Sequence, residues 1–263
     1  MSAPDDFELL ALMDLNMVAC YRADTRATPG GEVVDVPGLT LFRTPLGRIS
    51  TNMAIVTGPV DVRTIRELTA ATYSPSGSPF TVWTREHADA ALEPALGELG
   101  FHQIHREPGM VFVPGAGPAV PPPAGVTIRA VRDDADRATY GDLATRAFAL
   151  YGVPEDSIAE HFATLDSVLG PTTQGFLAWR DGRAVAAAIL YMAHGVGGIG
   201  WVATHPDELR RGYGRAVTWA VIEEGLRRGA RFMNLQASPM GEPMYRRMGF
   251  TTPTHYRWFL GSE

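Results

Sequence analysis

The chain has a single cysteine, Cys20, and no lysine at all: every one of its 23 basic residues is arginine. One cysteine excludes an internal disulfide framework, and no group of cysteines and histidines has the spacing of zinc ligands, so no metal is expected. No stretch reaches about 18 uninterrupted apolar residues, which excludes a membrane-spanning helix. Asp5, Asp6 and Glu8 stand where a secretory signal carries basic residues. Together these absences lead us to expect a soluble, cytoplasmic protein with no membrane partner. Positive charge is also in deficit, with a formal net charge of −6, which argues against a general nucleic-acid binder. The absence of lysine reads as the codon bias of a GC-rich, bacterial genome, and it leaves the protein no lysine side chain of its own to acylate.

What is present is enough for two cores. The 263 residues, 45% of them hydrophobic, suit two domains of about 100–150 residues. Residues 114–125, PGAGPAVPPPAG, lack apolar periodicity and are stiff with proline, as a linker would be. The expected division is a domain over 1–114, a linker over 115–124 and a second domain over 125–263. The second domain alternates elements. A strand spans 126–132, and a helix capped by Asp133 or Asp134 runs through Ala149. Ile158, Phe162, Leu165 and Leu169 mark an amphipathic helix over 155–169. Strands over 175–179 and 184–192 follow, joined by Asp181-Gly182. After the central strand and its loop come a helix over 216–228, a strand over 231–237, a short helix from Pro239 to Met248 and a last strand over 250–260.

The most informative stretch is residues 198–216, GIGWVATHPDELRRGYGRA. An apolar strand runs into a polar turn, then into Arg210, Arg211, Gly212, Tyr213, Gly214 and Arg215, and a helix opens near Ala216. Unpaired N–H groups at a helix N-terminus, glycines that admit close approach and arginines together form a cradle for a polyphosphate. No Gly-Lys-Ser/Thr follows, and the spacing is not that of the dinucleotide fingerprint. A plain helix start is the competing reading.

This loop resembles the coenzyme A pyrophosphate loop of the GNAT superfamily of acetyltransferases, Arg/Gln-x-x-Gly-x-Gly/Ala, with Leu209 in place of the first Arg or Gln. The element order β-α-α-β-β-β-α-β-α-β extends the resemblance over the whole second domain. The resemblance implies a mixed α/β fold with splayed central strands and acetyl-CoA as cosubstrate. It also implies transfer of an acetyl group to an amine by direct attack in a ternary complex. By position, the backbone of Val202, Ala203 and Thr204 would hold the pantetheine arm and the thioester oxygen. Residues 245–250 resemble the family's Tyr-x-x-x-Gly-Phe, which implies that Tyr245 protonates the departing thiolate; a core tyrosine is the alternative. Ser238 would bond the pantetheine or cap the following turn. Asn234 and Gln236 share one strand face and would line the acceptor cleft or satisfy the splayed edge.

For the general base the sequence offers His194, with His205, His161 and Glu242 behind it. The acceptor, a small-molecule or peptide amine, is left open, and the acidic charge leans toward a cationic one. A non-catalytic acyl-CoA-binding regulator or scaffold is the rival reading. Gly100-Phe101 near the end of the first half matches Gly249-Phe250 near the end of the second. With a strand over 53–56 and a helix over 62–72, this predicts a tandem, degenerate GNAT-like N-terminal domain without a coenzyme site. Such a silent half would shape the substrate cleft or a subunit interface, which leaves a homodimer open as a partner.

Overall fold

The computed structural model describes residues 6–45 and 47–261. In chain order the first half contains α1 (Asp6–Ala27), β1 (Glu32–Val36), β2 (Leu39–Arg43), β3 (Met53–Val56) and α2 (Val62–Tyr73), then β4 (Thr81–Arg85), α3 (Glu86–Asp89), α4 (Glu93–Glu98) and β5 (His102–Phe112). The second half contains β6 (Val126–Ala130), α5 (Asp134–Phe148), α6 (Glu155–His161), β7 (Thr173–Arg180), β8 (Arg183–Ala193) and β9 (Val196–Thr204). It closes with α7 (Tyr213–Arg227), β10 (Met233–Gln236), α8 (Glu242–Arg247) and β11 (Thr251–Leu260). Among the described residues no helix is long and apolar enough to cross a membrane.

The strands form one mixed sheet in the order β1-β2-β3-β4-β11-β5-β10-β9-β8-β7-β6. The two halves repeat a layout: β3-α2-β4 answers β9-α7-β10, and both strand pairs are parallel. The final strands, however, are exchanged. β11, the last strand of the second half, lies between β4 and β5 of the first, and β5 lies between β11 and β10. Each half therefore completes the other's sheet, through Thr81↔Leu260 to Arg85↔Tyr256 on one side and Met233↔Phe112 to Gln236↔Gly109 on the other. Gly109 is required at this crossing, because a Cβ there would lie 2.7 Å from the Tyr256 ring. The expected linker runs past Gly249, where a Cβ would lie 2.5 Å from the carbonyl oxygen of Ala116.

The N-terminal 22 residues described, for which the sequence suggested no element, form the long helix α1. Its apolar side chains spread around its circumference because it packs against both halves. Met13 meets Val111, Val196 and Phe232, while Met17 and Tyr21 meet Phe42, Met53 and Trp83 of the first half. Asn16 donates to the carbonyls of Val196 at 3.1 Å and Ala193 at 3.3 Å, and accepts from Asn234 at 3.0 Å. Each such bond is worth about 1 kcal/mol net, and more if its loss leaves a buried amide unpaired.

Three expected elements shift. The helix over 155–169 stops at His161 and resumes only as a 3-10 turn at Leu165–Ser167. Thr164 is extended there, and its hydroxyl donates to the carbonyl of Ala27 at 2.8 Å. The helix after the glycine loop starts at Tyr213, three residues before the expected Ala216. Residues 238–241 form a turn, so α8 begins at Glu242 and not at Pro239.

The exchange of β5 and β11 makes a prediction. Residues 1–114 and residues 115–263, produced separately, should each lack a cooperative urea transition, and mixing them should restore one. Two independent transitions would contradict the exchange.

Candidate functional site

Parallel β9 and β10 pair only at Met233↔Gly197 and Asn234↔Gly198. Beyond Gly198, β9 has no strand partner on that side among the described residues, and a cavity of about 520 Å³ opens in the gap. On its other edge β9 bulges against β8 between Ala187↔Ala203 and Ile189↔Gly200. Trp201 sits in the bulge at φ +50°, a conformation that costs a non-glycine residue roughly 1–2 kcal/mol. Its surroundings fix it there. Tyr140 donates to its carbonyl at 2.8 Å, its indole N–H donates to Asp24 at 3.0 Å, and its ring stacks on His161 at 4.0 Å. The carboxylate that holds the bulge thus comes from α1.

At the far end of β9 the chain passes through the turn Pro206–Glu208 and reaches Gly212, which caps α7 at φ +83°. No side chain caps this helix, and its first internal bond is Ala216 N–H to the Gly212 carbonyl at 3.0 Å. The N–H groups of Tyr213, Gly214 and Arg215 therefore point out of the helix end. Open space surrounds Gly212, whose hypothetical Cβ meets only a Pro123 atom, at 3.8 Å. Gly214 permits the helix to lie close on β9, since a Cβ there would approach the Thr204 hydroxyl to 2.8 Å. The first half lacks this arrangement. Asp61 caps α2, its carboxylate accepting from Arg63 N–H at 2.8 Å, which fills the equivalent helix end with negative charge.

The cavity brings together most of the residues singled out from the sequence. Val202, Ala203, Thr204, Arg210, Gly212, Tyr213, Gly214, Arg215, Ser238 and Tyr245 all line it. Leu209 lines it as well, so the departure from the loop pattern is inside the site. Arg211 does not. It turns to Glu208, 2.9 Å away, and leaves the loop's charge to Arg210 and Arg215. Tyr245 is 6% exposed, and its hydroxyl makes no hydrogen bond among the described residues. Burial, with Tyr151 nearby, pushes its phenol above the ordinary value. Ser238 accepts from Gly241 N–H at 3.2 Å, so it caps its turn while facing the cavity, and the Tyr151 hydroxyl lies 3.5 Å from its oxygen.

Other expectations are corrected. His194 is exposed in the β8–β9 turn at φ +54°, at the start of β9. The rise along β9 puts it about 25 Å from Thr204, too far to serve as base. Asn234 is buried and bound to Asn16 under α1, which removes it from any open cleft; Gln236 remains half-buried beside Gly109. His161 is buried against Trp201, and burial lowers its pKa. His205 is committed to the Asp207 N–H and to Arg183, and burial with Arg183 beside it holds it low. Glu242 pairs with Arg246 at 2.7 Å. Cys20 is a buried thiol whose pKa is raised by burial and by Asp24.

Sequence reading missed one wall of the cavity, formed by Phe148 at the end of α5 and by Leu150 and Tyr151 just after it, and it missed Glu107, which is not among the residues lining the cavity. Glu107 lies on β5 opposite Tyr256. Burial lifts its carboxyl to about 7. Nothing near it in the chain signals this, because the strand exchange alone brings it beside β10.

Residues 137–250 match the Acetyltransferase (GNAT) family. No curated protein is detectably similar in sequence. Among solved structures, the chain resembles a GCN5-related N-acetyltransferase from Kribbella flavida, with a TM-score of 0.74 at 20% identity over 95% of this chain and 96% of that one. It also resembles a tandem GNAT protein from the clavulanic acid biosynthesis pathway, solved without AcCoA, with a TM-score of 0.62 at 17% identity over 99% and 96% of the two chains. A GCN5-related N-acetyltransferase from Sphaerobacter thermophilus gives a TM-score of 0.60 at 18% identity over 98% and 94%. The tandem arrangement thus recurs in a solved fold of nearly the same extent.

The raised Glu107 carboxyl makes a prediction about stability. Its ordinary value is 4.5 and its folded value about 7. Between those values the unfolded chain gives up the proton while the folded chain retains it. Stability contributed by this group is therefore full below about pH 4.5 and is lost as pH rises through about 7. Urea denaturation at pH 4.5, 6 and 8 should show Glu107→Gln gaining on the wild type with rising pH, by about 2 kcal/mol at pH 8. A constant difference would refute the half-buried, unpaired carboxyl.

Proposed function

Starting from a C-terminal half that belongs to the GNAT acetyltransferase family, we propose that this protein transfers an acetyl group from acetyl-CoA to an amine by direct attack within a ternary complex. The observation that supports this reading most is the continuity of one cavity from the uncapped N-terminus of α7 to the unpaired edge of β9. The N–H groups of residues 213–215, with Arg210 and Arg215, suit a pyrophosphate. The free backbone edge of Val202, Ala203 and Thr204 suits the amide-bearing pantetheine arm, which can add to the sheet as a strand would.

Acetyl transfer needs a held donor, a polarised carbonyl, a neutral amine and a proton for the leaving sulfur. In this reading a backbone N–H on the free edge of Val202–Thr204 meets the oxygen on which charge develops. Tyr245 holds its phenolic proton at any physiological pH, because burial raises its pKa. The same dry surroundings raise the affinity of a thiolate for a proton, so Tyr245 is the group that returns one to sulfur. Cys20, a buried and neutral thiol, has no part in an acyl-enzyme route.

Calorimetric titration with acetyl-CoA, with ATP as control, tests the site. A Kd of about 1–100 μM for acetyl-CoA alone is expected. Binding that no amine converts into thiol release would favour an acyl-CoA-responsive regulator, a role that Leu209 in the loop would suit. Gly212→Asp should abolish acetyl-CoA binding, since it sets a carboxylate at the anion site; retained affinity would refute the loop assignment. Tyr245→Phe should lower kcat by about tenfold or more and leave the acetyl-CoA Kd nearly unchanged. An unaltered kcat would remove Tyr245 from the reaction.

A further inference from the structure

The acceptor side of the site, which the glycine loop leaves unspecified, lies on the face of the sheet covered by α1. The register between β10 and β5 runs through Gln236↔Gly109 and continues in the bond from Ala237 N–H to the Pro108 carbonyl at 3.1 Å. The next position on β5 is Glu107, level with Ser238 at the cavity wall. Glu107 pairs with Tyr256, whose hydroxyl donates to Asp14 of α1 at 2.9 Å. Cross-strand partners share a face, so the Glu107 side chain also points to the α1 side, as Gln236 does opposite Gly109. The cavity reaches that side through Phe148 and Ala203, which pack in one cluster with Cys20 and Ala23 of α1.

Among the described residues the Glu107 carboxylate has no hydrogen bond and no ion pair. An aromatic cluster of Tyr21, Trp83, Tyr256 and Trp258 lies on the same face of the sheet. Burial raises the pKa of Tyr21 on α1, and the nearby Glu107 charge raises it further. Tyr21 sits edge-on to Trp83 at 5.0 Å, Trp83 stacks on Trp258 at 4.2 Å, and His105 meets the Trp258 ring at 5.1 Å. The indole N–H of Trp258 is also buried without a partner. A carboxylate lodged unpaired among aromatic faces is costly alone, and it is favourable once an organic cation sits between them.

We propose that the acceptor is an organic ammonium ion held between Glu107 and the rings of Tyr21 and Trp258, and that Glu107 takes the first proton from it. This rests on the acetyl-transfer reading above. The ammonium gives one proton to Glu107, and the neutral amine then attacks the thioester carbonyl. The C–N bond forms and the C–S bond breaks. The nitrogen loses a second proton as the amide forms, sulfur gains one, and one proton per turnover passes to solvent. The N-terminal half thereby supplies a catalytic residue to a site whose coenzyme loop lies in the C-terminal half.

Burial sets the Glu107 carboxyl at about 7, so near neutrality it is available both ionised and protonated, as a proton acceptor must be. The ionisable groups on its face are Tyr21 on α1, with Cys20 and Asp24 behind it, Tyr256 on β11, with Asp14 behind it, Arg85 on β4, which is paired to Asp14 and Asp89, and His105 on its own strand. Arg106 and Arg257 do not neutralise it, because they engage Glu86 and Glu93 on the opposite face.

The test titrates the full chain with n-butylammonium, 2-phenylethylammonium and spermidine, read by tryptophan fluorescence, with acetyl-CoA absent. At least one cation should bind saturably, about tenfold more tightly at pH 8 than at pH 6 as a group of pKa near 7 ionises. Glu107→Gln should lose that tenfold and its pH dependence, and Glu107→Asp should recover part of both. If none of the three cations binds the wild type, or if Glu107→Gln binds as tightly, the proposal is overturned. With the best cation as acceptor, Glu107→Gln should cut kcat by about 10²-fold or more at unchanged acetyl-CoA Kd, and an unchanged kcat would overturn the proton role. Calorimetry with acetyl-CoA on the same preparations separates the two readings. A wild type that binds the cation in a Glu107-dependent way but not acetyl-CoA would refute acetyl transfer and leave the ammonium site standing.

Discussion

The pairing of β5 with β11 is the contact on which the rest depends. It runs from Thr251↔Val111 to Leu260↔His102, and each of its strands is the last of one half, laid into the sheet of the other. The hydrogen bonds of this ladder are ordinary. What matters is that they turn two half-sheets into one surface and leave no unpaired edge at the joint between the halves. α1 can then lie across the joint, with Asn16 and Asp24 reaching one half and Met17 and Tyr21 the other.

A chain of small constraints connects that joint to the cavity. Trp201 holds a left-handed conformation inside a strand, and Asp24, Tyr140 and His161 engage its indole N–H, its carbonyl and its ring. The bulge sets the register of Val202–Thr204, and the short pairing of β9 with β10 leaves their outer edge free. At the other end, two features make α7 receptive to an anion: a left-handed glycine at its cap and the absence of any capping side chain. The first half has the same strand-helix-strand unit, yet Asp61 occupies its helix end and β3 stays paired with β4 over Met53, Ala54 and Ile55. One carboxylate and one extra rung of pairing separate a receptive copy from a closed one.

Local chemistry made part of this legible in the sequence. Gly212 and Gly214 beside arginines, the strand before them and Tyr245 ahead of Gly249-Phe250 are short-range patterns, and the structure gathers them around one cavity. The tandem layout was visible in the repeated Gly-Phe. What failed were inferences from nearness in sequence. His194 stands two positions before the central strand and for that reason lies at its wrong end. Arg211 belongs to the loop, but its side chain found Glu208. Asn234 alternates onto the face it shares with Gln236 and is then sealed by a helix more than 200 positions away. Neither that helix nor the position of Glu107 can be read locally, since α1 lacks a single apolar stripe and only the exchanged strand brings Glu107 level with Ser238.

The exchange also orders events in time. A ribosome releases β4 and β5 long before β11, and the slot between those two strands cannot close until residues 251–260 have emerged. Until then the first half carries an open seam flanked by apolar strands, the kind of surface that invites chaperones or mispairing with a neighbouring nascent chain. The half that appears first is therefore the half that is finished last, and the protein matures as one body.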